Sequence, residues 1–314
     1  MKVKIWGARG SIPTPLTASE YRRKVLKILT EAAKADLSSE SRRIEFFDGL
    51  EPALAHIVGG NTSCVEVNVN DTIIVFDMGS GFRELGNNLL RRNLKDKNIY
   101  VFLSHTHWDH IQGFPFFKPA FMKDFHLHFR SPHGNLRQKL IEQQEFRFFP
   151  VSLDYMASDK HFYDYAPGQD VEINGIKIRN IELHHPGKSY GYRVEFEGKS
   201  MVFATDSEYN NFNSEKFNKY INFYRDSDLL IFDAQYSFDQ EIQRIDWGHS
   251  SALVGVDLAE TANVKRLALF HHEPDNDDFE VCKLYKAAIE YKNKNYADSN
   301  LEVFLAREDV VIEL

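Results

Sequence analysis

The apolar run IYVFL, Ile99 to Leu103, is followed after Ser104 by HTHWDH, His105 to His110. A strand with no polar face is expected to be buried on both sides, so this one needs a layer above it and a layer below. Its polar end then lies where the buried strand leaves the sheet. Residues two apart on an extended backbone project to the same side, so His105 and His107 can share one ion; beyond the turn, Asp109 and His110 can reach a neighbouring ion. Neutral imidazoles and a carboxylate suit zinc, with iron or manganese as substitutes. The alternative is a solvated loop of locally bonded histidines, and four potential ligands in six residues argue against it.

The remaining pattern extends the layered reading. Lys2 to Trp6 alternates like a strand and stops at the loop GARGSIPTP. Thr17 and Glu20 form a capping box, and Tyr21, Val25, Ile28, Leu29 and Ala32 recur at helical spacing behind it. A weaker helical segment, Ser41 to Ala55, is interrupted by Gly49 and Pro52. Together these helices read as an insertion over about 16–57. Hairpins are expected at Asn70–Asp71, Asn174–Gly175 and Gly198. A helix with Leu85, Leu89 and Leu90 on one face precedes IYVFL. LLIFDAQY and RLALFHH read as short buried strands, with a helix from about Ser250 to Ala262 between them and another after Asp277. Hairpins followed by strand–helix alternation, in each of two halves, favour two sheets packed face to face with helices outside.

Charge and cysteine content narrow the setting. Lys and Arg number 38 against 46 Asp and Glu, a formal net charge of −8, which gives no broad footprint for a nucleic-acid backbone. Cys64 and Cys282 lie far apart and suggest no disulfide framework. The start MKVKIWGARG has no uncharged apolar core of a secretory signal, and no apolar run is long enough to span a bilayer. The expected protein is soluble and cytoplasmic, with no membrane partner.

HTHWDH resembles the HxHxDH signature of the metallo-beta-lactamase superfamily of metal-dependent hydrolases, matched by His105, His107, Asp109 and His110. The resemblance implies further roles. Asp77 of VFDMGSG matches a strand-end aspartate that holds the metal loop from behind. His185 of HHPGKSYGY, Asp206 ending MVFATD and His271 of LFHHEP match the third histidine, the metal-bridging carboxylate and the final histidine. His184 and His272 are the competing histidines, and Asp206 taken alone also reads as a helix cap. The implied fold is a four-layer αββα sandwich formed by residues 1–314 as one domain, holding two divalent ions, zinc foremost, with manganese or iron as substitutes.

Within the superfamily, GGNTSCVEV and WGHSSALVGVDLAETANVKRLALFHH resemble the phosphodiesterase branch, which includes ribonuclease Z and bacterial cyclic-nucleotide phosphodiesterases. By that resemblance His249, followed by Ser250 and Ser251, contacts the scissile phosphate or protonates the leaving oxygen; from the inferred site, Asp109 is expected to orient the attacking hydroxide. Donors gathered at a helix N-terminus suit an anion independently of the resemblance. The expected substrate is a small phosphodiester, foremost a cyclic nucleotide. A ribonuclease Z-like nuclease and a non-hydrolytic metal protein of the same superfamily are the alternatives. The acidic balance, and the lack of a long glycine- and lysine-rich arm, count against an extended nucleic acid. The segments outside the resemblance are read as a lid or as the interface of a homo-oligomer. Most aromatics near the signature, such as Phe114 and Phe117, are expected in the core, leaving one or two to stack on a base.

Overall fold

Three tight turns lay down the hairpins from which both sheets grow. Asn70–Asp71 (φ 47° and 68°), Asn174–Gly175 (52° and 78°) and Glu197–Gly198 (47° and 74°) each place two successive residues at positive φ, the backbone that matches the twist of paired strands. In the computed structural model, which describes residues 1–209 and 214–314, two seven-stranded sheets result among the described residues.

The first half supplies β1 (Lys2–Gly7), β2 (Cys64–Val69), β3 (Thr72–Phe76), β4 (Asn98–Phe102), β5 (His126–Ser131) and β6 (Asp159–Asp164). The second supplies β7 (Val171–Ile173), β8 (Ile176–Leu183), β9 (Ser189–Phe196), β10 (Lys199–Ala204), β11 (Leu229–Asp233), β12 (Arg266–Phe270) and β13 (Glu302–Leu305), before β14 (Val311–Glu313) returns to pair with β1. The sheet orders are β14-β1-β2-β3-β4-β5-β6 and β13-β12-β11-β10-β9-β8-β7. In each, pairing is antiparallel through the hairpins and parallel beyond them, from β3 to β6 and from β10 to β13.

The helices are α1 (Ala18–Ala32), α2 (Glu40–Asp48), α3 (Pro52–Ala55), α4 (Gly81–Leu89), α5 (Trp108–Ile111), α6 (Leu136–Gln143), α7 (Ser214–Tyr224), α8 (Phe238–Gln243), α9 (Ala252–Thr261) and α10 (Asp278–Asn295). Three apolar layers hold the sandwich. Ile5, Val67, Phe76, Phe102, Tyr192, Phe203 and Phe270 fill the space between the sheets. Phe82, Leu85, Phe114, Phe117 and Leu140 lie between the first sheet and α4 and α6, while Tyr224, Phe232, Val256 and Val281 lie between the second sheet and α7, α9 and α10. This is the expected αββα order. Cys64 and Cys282 are both buried and free, and among the described residues no helix is long and apolar enough to cross a membrane.

The N-terminal helices depart from the periodicity. The segment Ser41 to Ala55 forms two helices, because Gly49 closes α2 and Pro52 opens α3. In α1 the expected apolar face is only partly buried: Val25, Ile28 and Ala32 are half-buried, Tyr21 and Leu29 are 62% and 59% exposed, and the fully buried residue is Lys24. Leu90 is likewise exposed, beyond the end of α4. What fastens α1 is charge. Lys24 Nζ lies 2.5 Å from Asp278 Oδ2 and donates to the His56 carbonyl at 2.6 Å. Asp278 Oδ1 also accepts from Val58 N at 3.2 Å and from Arg9 at 3.4 Å. Arg9 thus belongs to the same buried network.

Removing one member of a buried ion pair strands the other, at a cost of about 3 kcal/mol or more. Lys24→Ala is therefore expected to lower the free energy of unfolding by about 3 kcal/mol in urea and to expose the α1–α2 connection to proteolysis. A loss below about 1 kcal/mol, the size of a surface pair, would show that α1 is held by other contacts.

Candidate metal centre

Every residue of the cluster sits where a strand ends. Asp77 follows β3, His105 to His110 follow β4 and enter α5, His185 follows β8, Asp206 follows β10, Asp233 closes β11 and His271 follows β12. Carboxyl ends of strands in layered α/β folds gather ligands for this reason, since apolar strand bodies stop there and the chain turns. The turns are sharp. Asp77, Asp206 and His271 have φ of 61°, 54° and 59°, a conformation that costs a side-chain-bearing residue about 1–3 kcal/mol.

Two sets of ligand atoms converge, each within 4.8 Å of one another: those of His105, His107 and His185, and those of Asp109, His110, Asp206 and His271. Asp206 faces both. Its Oδ2 lies 3.6 Å from His105 Nε2 and 3.9 Å from His185 Nε2, while Oδ1 lies 3.2 Å from Nε2 of both His110 and His271. Asp109 Oδ2 lies 3.1 Å from His110 Nε2 and 3.2 Å from His271 Nε2, and accepts the Ser11 backbone N–H at 2.8 Å.

The outward nitrogens are fixed one by one. His110 Nδ1 bonds Asp77 Oδ2 at 2.7 Å, His185 Nδ1 the Gly248 carbonyl at 2.9 Å, His271 Nδ1 Gln235 Oε1 at 3.0 Å, and His105 Nδ1 the Ser104 hydroxyl at 3.0 Å. Each Nε2 is thereby aimed inward. Exposed His107 turns its Nδ1 inward instead, 3.1 Å from His185 Nε2. Asp77 is itself held by Ser104 N at 2.8 Å and the Ser63 hydroxyl at 3.1 Å. Gly248 is required where it stands: at φ 84°, a Cβ there would lie 2.2 Å from His185 Nδ1.

The residues fit a divalent-metal centre. Nε2 of His105 and of His110 are buried and, among the described residues, have no hydrogen-bond partner. His110 Nε2 is close to two carboxylates yet not in hydrogen-bond geometry with either, so these atoms converge on a shared point more than on each other. Electrostatics agrees. Burial pushes the Asp109 and Asp206 carboxyls up, but His110 and His271 outweigh it and hold both well below the usual range. Burial likewise disfavours charge on His110 and His271, but the carboxylates win, raising His110 well above its ordinary value and His271 to about 9. The carboxylates call for positive charge between them, which protons or metal ions supply. His105 and His185 are lowered, chiefly by burial, into the neutral form that ligates.

The structure brings together all seven expected ligands, with Asp77 behind them and His249 beside them, the His249 ring 5.2 Å from that of His185 and 5.0 Å from that of His271. Of the competing histidines, His272 turns away and bonds the Ala306 carbonyl at 2.8 Å. The sequence reading missed Asp233, whose Oδ2 lies 2.8 Å from His249 Nδ1, and Gln235, which orients His271. A carboxylate closing the apolar run LLIFD was the available signal.

A sequence profile described as "Beta-lactamase superfamily domain" matches residues 72–272. Ribonuclease Z of Picrophilus torridus is 24% identical over 268 residues, spanning 71% of this chain and 84% of that protein. Among solved structures, the metallo-beta-lactamase fold protein YhfI from Bacillus subtilis superimposes with a TM-score of 0.64 and 19% identity, covering 99% of this chain and 98% of that one. The short form of human tRNase Z gives 0.62 and 16%, covering 100% and 99%. The likeness to these structures is one of fold.

His272 allows a test that does not depend on activity. Burial, then Arg9, pushes its imidazole down to about 3, whereas an unfolded histidine titrates near ~6.5. Below that value the unfolded chain binds a proton that the folded chain refuses, so stability is intact above pH ~6.5 and falls with acidification, by up to about 1.4 kcal/mol per pH unit from this group. In chelator-treated protein, His272→Gln is expected to flatten the acid limb of unfolding free energy against pH by about that slope; parallel limbs would refute the assignment.

Proposed function

The chain belongs to the metallo-beta-lactamase superfamily and is a metal-dependent hydrolase, and from that premise we propose that it is a phosphodiesterase acting on a small phosphodiester, foremost a cyclic nucleotide. The observation carrying this reading is the Asp233–His249 pair beside the ligand cluster. A histidine whose Nδ1 is held by a buried carboxylate keeps its Nε2 directed and ready to give a proton to a leaving alkoxide. Asp233 is fixed in turn by the backbone N–H groups of Ser207 at 3.2 Å and Gln235 at 3.1 Å.

His105, His107 and His185 would hold one ion, and Asp109, His110 and His271 a second, with Asp206 between them. Divalent ions there, zinc foremost, would lower the pKa of a water to near ~7 and clamp the phosphodiester oxygens. Asp109 orients the attacking water, and His249 protonates the departing oxygen. Glu208 holds the segment leading to His249 by accepting from the N–H groups of Asp246 and Gly248, each at 3.1 Å. Trp108 and Trp247, 77% and 61% exposed and each next to or two residues from a site residue, offer flat apolar faces for a base.

A second reading, a nuclease acting on RNA, is favoured by the ribonuclease Z relatives. The net charge of −8 favours the small substrate. His249→Ala is expected to lower kcat on bis-para-nitrophenyl phosphate by about 10²–10⁴-fold with metal content unchanged; turnover at the wild-type rate would remove His249 from the chemistry. A product screen across cyclic mononucleotides, cyclic dinucleotides and short RNA separates the readings, and cleavage of RNA alone, with salt-sensitive binding, would overturn the small-molecule reading.

A further inference from the structure

The inner face of the first sheet carries a second set of ligand-type side chains at its far edge. In the parallel pair β5–β6, His126 stands opposite Asp159 and His128 opposite His161. All four project to one face, because residues two apart on a strand share a side. His126 Nδ1 lies 3.1 Å from Asp159 Oδ2, and the ligand atoms of His126, Asp159 and His161 all lie within 4.8 Å of one another. The first spacing is close to the edge of a tetrahedron built on metal–nitrogen bonds of about 2.0–2.1 Å, roughly 3.3 Å.

His161 is held in place by a stack. Its ring lies 4.9 Å from that of His128 at 14°, and His128 lies 4.8 Å from Tyr100 at 20°. His128 is locked through both ring nitrogens, Nδ1 to the Tyr163 hydroxyl at 3.0 Å and Nε2 to Asn98 Oδ1 at 2.7 Å. It therefore has no nitrogen left for a metal and serves as a platform for His161. The cluster belongs to the opposite end of the sheet from the main centre. His126 pairs with Asn98 at the start of β4, whereas His105 lies beyond its end, and five residues of strand separate them, about 16 Å of chain.

We infer that His126, Asp159 and His161 form a second, surface site for a late first-row divalent ion such as zinc, nickel or copper, independent of the catalytic cluster. Two imidazoles and one carboxylate select these ions over magnesium or calcium, and water completes the coordination. A bound ion clips the edge strand β6 to β5, on a border where unpaired backbone otherwise invites association.

The test counts ions. Whole protein dialysed against micromolar Zn²⁺ and assayed by elemental analysis is expected to hold one more zinc per chain than the His126→Ala/His161→Ala variant, with equal turnover of bis-para-nitrophenyl phosphate. Asp159→Asn, which keeps the shape of the side chain, is expected to weaken uptake of the same ion at least tenfold. Thermal unfolding of the wild type should rise with Zn²⁺ after the tight sites are filled, and that of the double variant should not. Equal zinc counts in wild type and both variants would overturn the site.

Discussion

The carboxylate of Asp206 lies 3.6 Å from His105 and 3.9 Å from His185 through one oxygen, and 3.2 Å from His110 and His271 through the other. A charge this deeply buried is tolerated only with opposite charge and directed donors around it, and here they arrive from two sheets. His105 and His110 leave the first sheet; His185, Asp206 and His271 leave the second. The spacing between the two ligand sets is therefore a property of how the sheets are stacked. Directly beneath the cluster the sheets are bonded to each other: Tyr190 N–H donates to the Ser104 carbonyl at 3.0 Å and the Tyr192 hydroxyl to the Leu103 carbonyl at 2.5 Å. Phe76, Phe102, Tyr192 and Phe203 fill the wedge below with ring centroids 5.3–5.9 Å apart. Close-packed rings of this kind do not slide by small amounts.

Much of this was legible in the sequence because it is written locally. Asn-Asp and Asn-Gly turns, an uninterrupted apolar strand and a dense polar terminus each carry their meaning within a few residues, and the HxHxDH resemblance linked them to His185, Asp206 and His271. What was not legible is lateral. Asp233 reads as the end of another buried strand, and its partnership with His249 exists only because β11 lies beside β10 and the segment before α9 folds back over it. Helix α1 shows the same limit from the other side. Its periodicity marks Tyr21 and Leu29 for burial, but the surface it meets offers the carboxylate of Asp278, and Lys24 is buried there instead.

The same lateral logic gives the histidine-lined edge of β5 and β6 its character. Inner-face positions of β2 and β3 are covered by the second sheet and are apolar, Val65, Val67, Ile74 and Phe76 among them. At the edge that cover is thinner, and the same face carries His126, His128 and His161.

Asp77, Asp206 and His271 occupy left-handed backbone that glycine would adopt without penalty. Glycine at those corners would relieve about 1–3 kcal/mol of backbone strain, but it would also strand the buried groups these side chains hold, His110 behind Asp77 and the histidines around Asp206 among them, at about 3 kcal/mol or more. Bent corner and buried charge therefore lock one another in, and a lineage selected only to survive heat gains nothing by abandoning either.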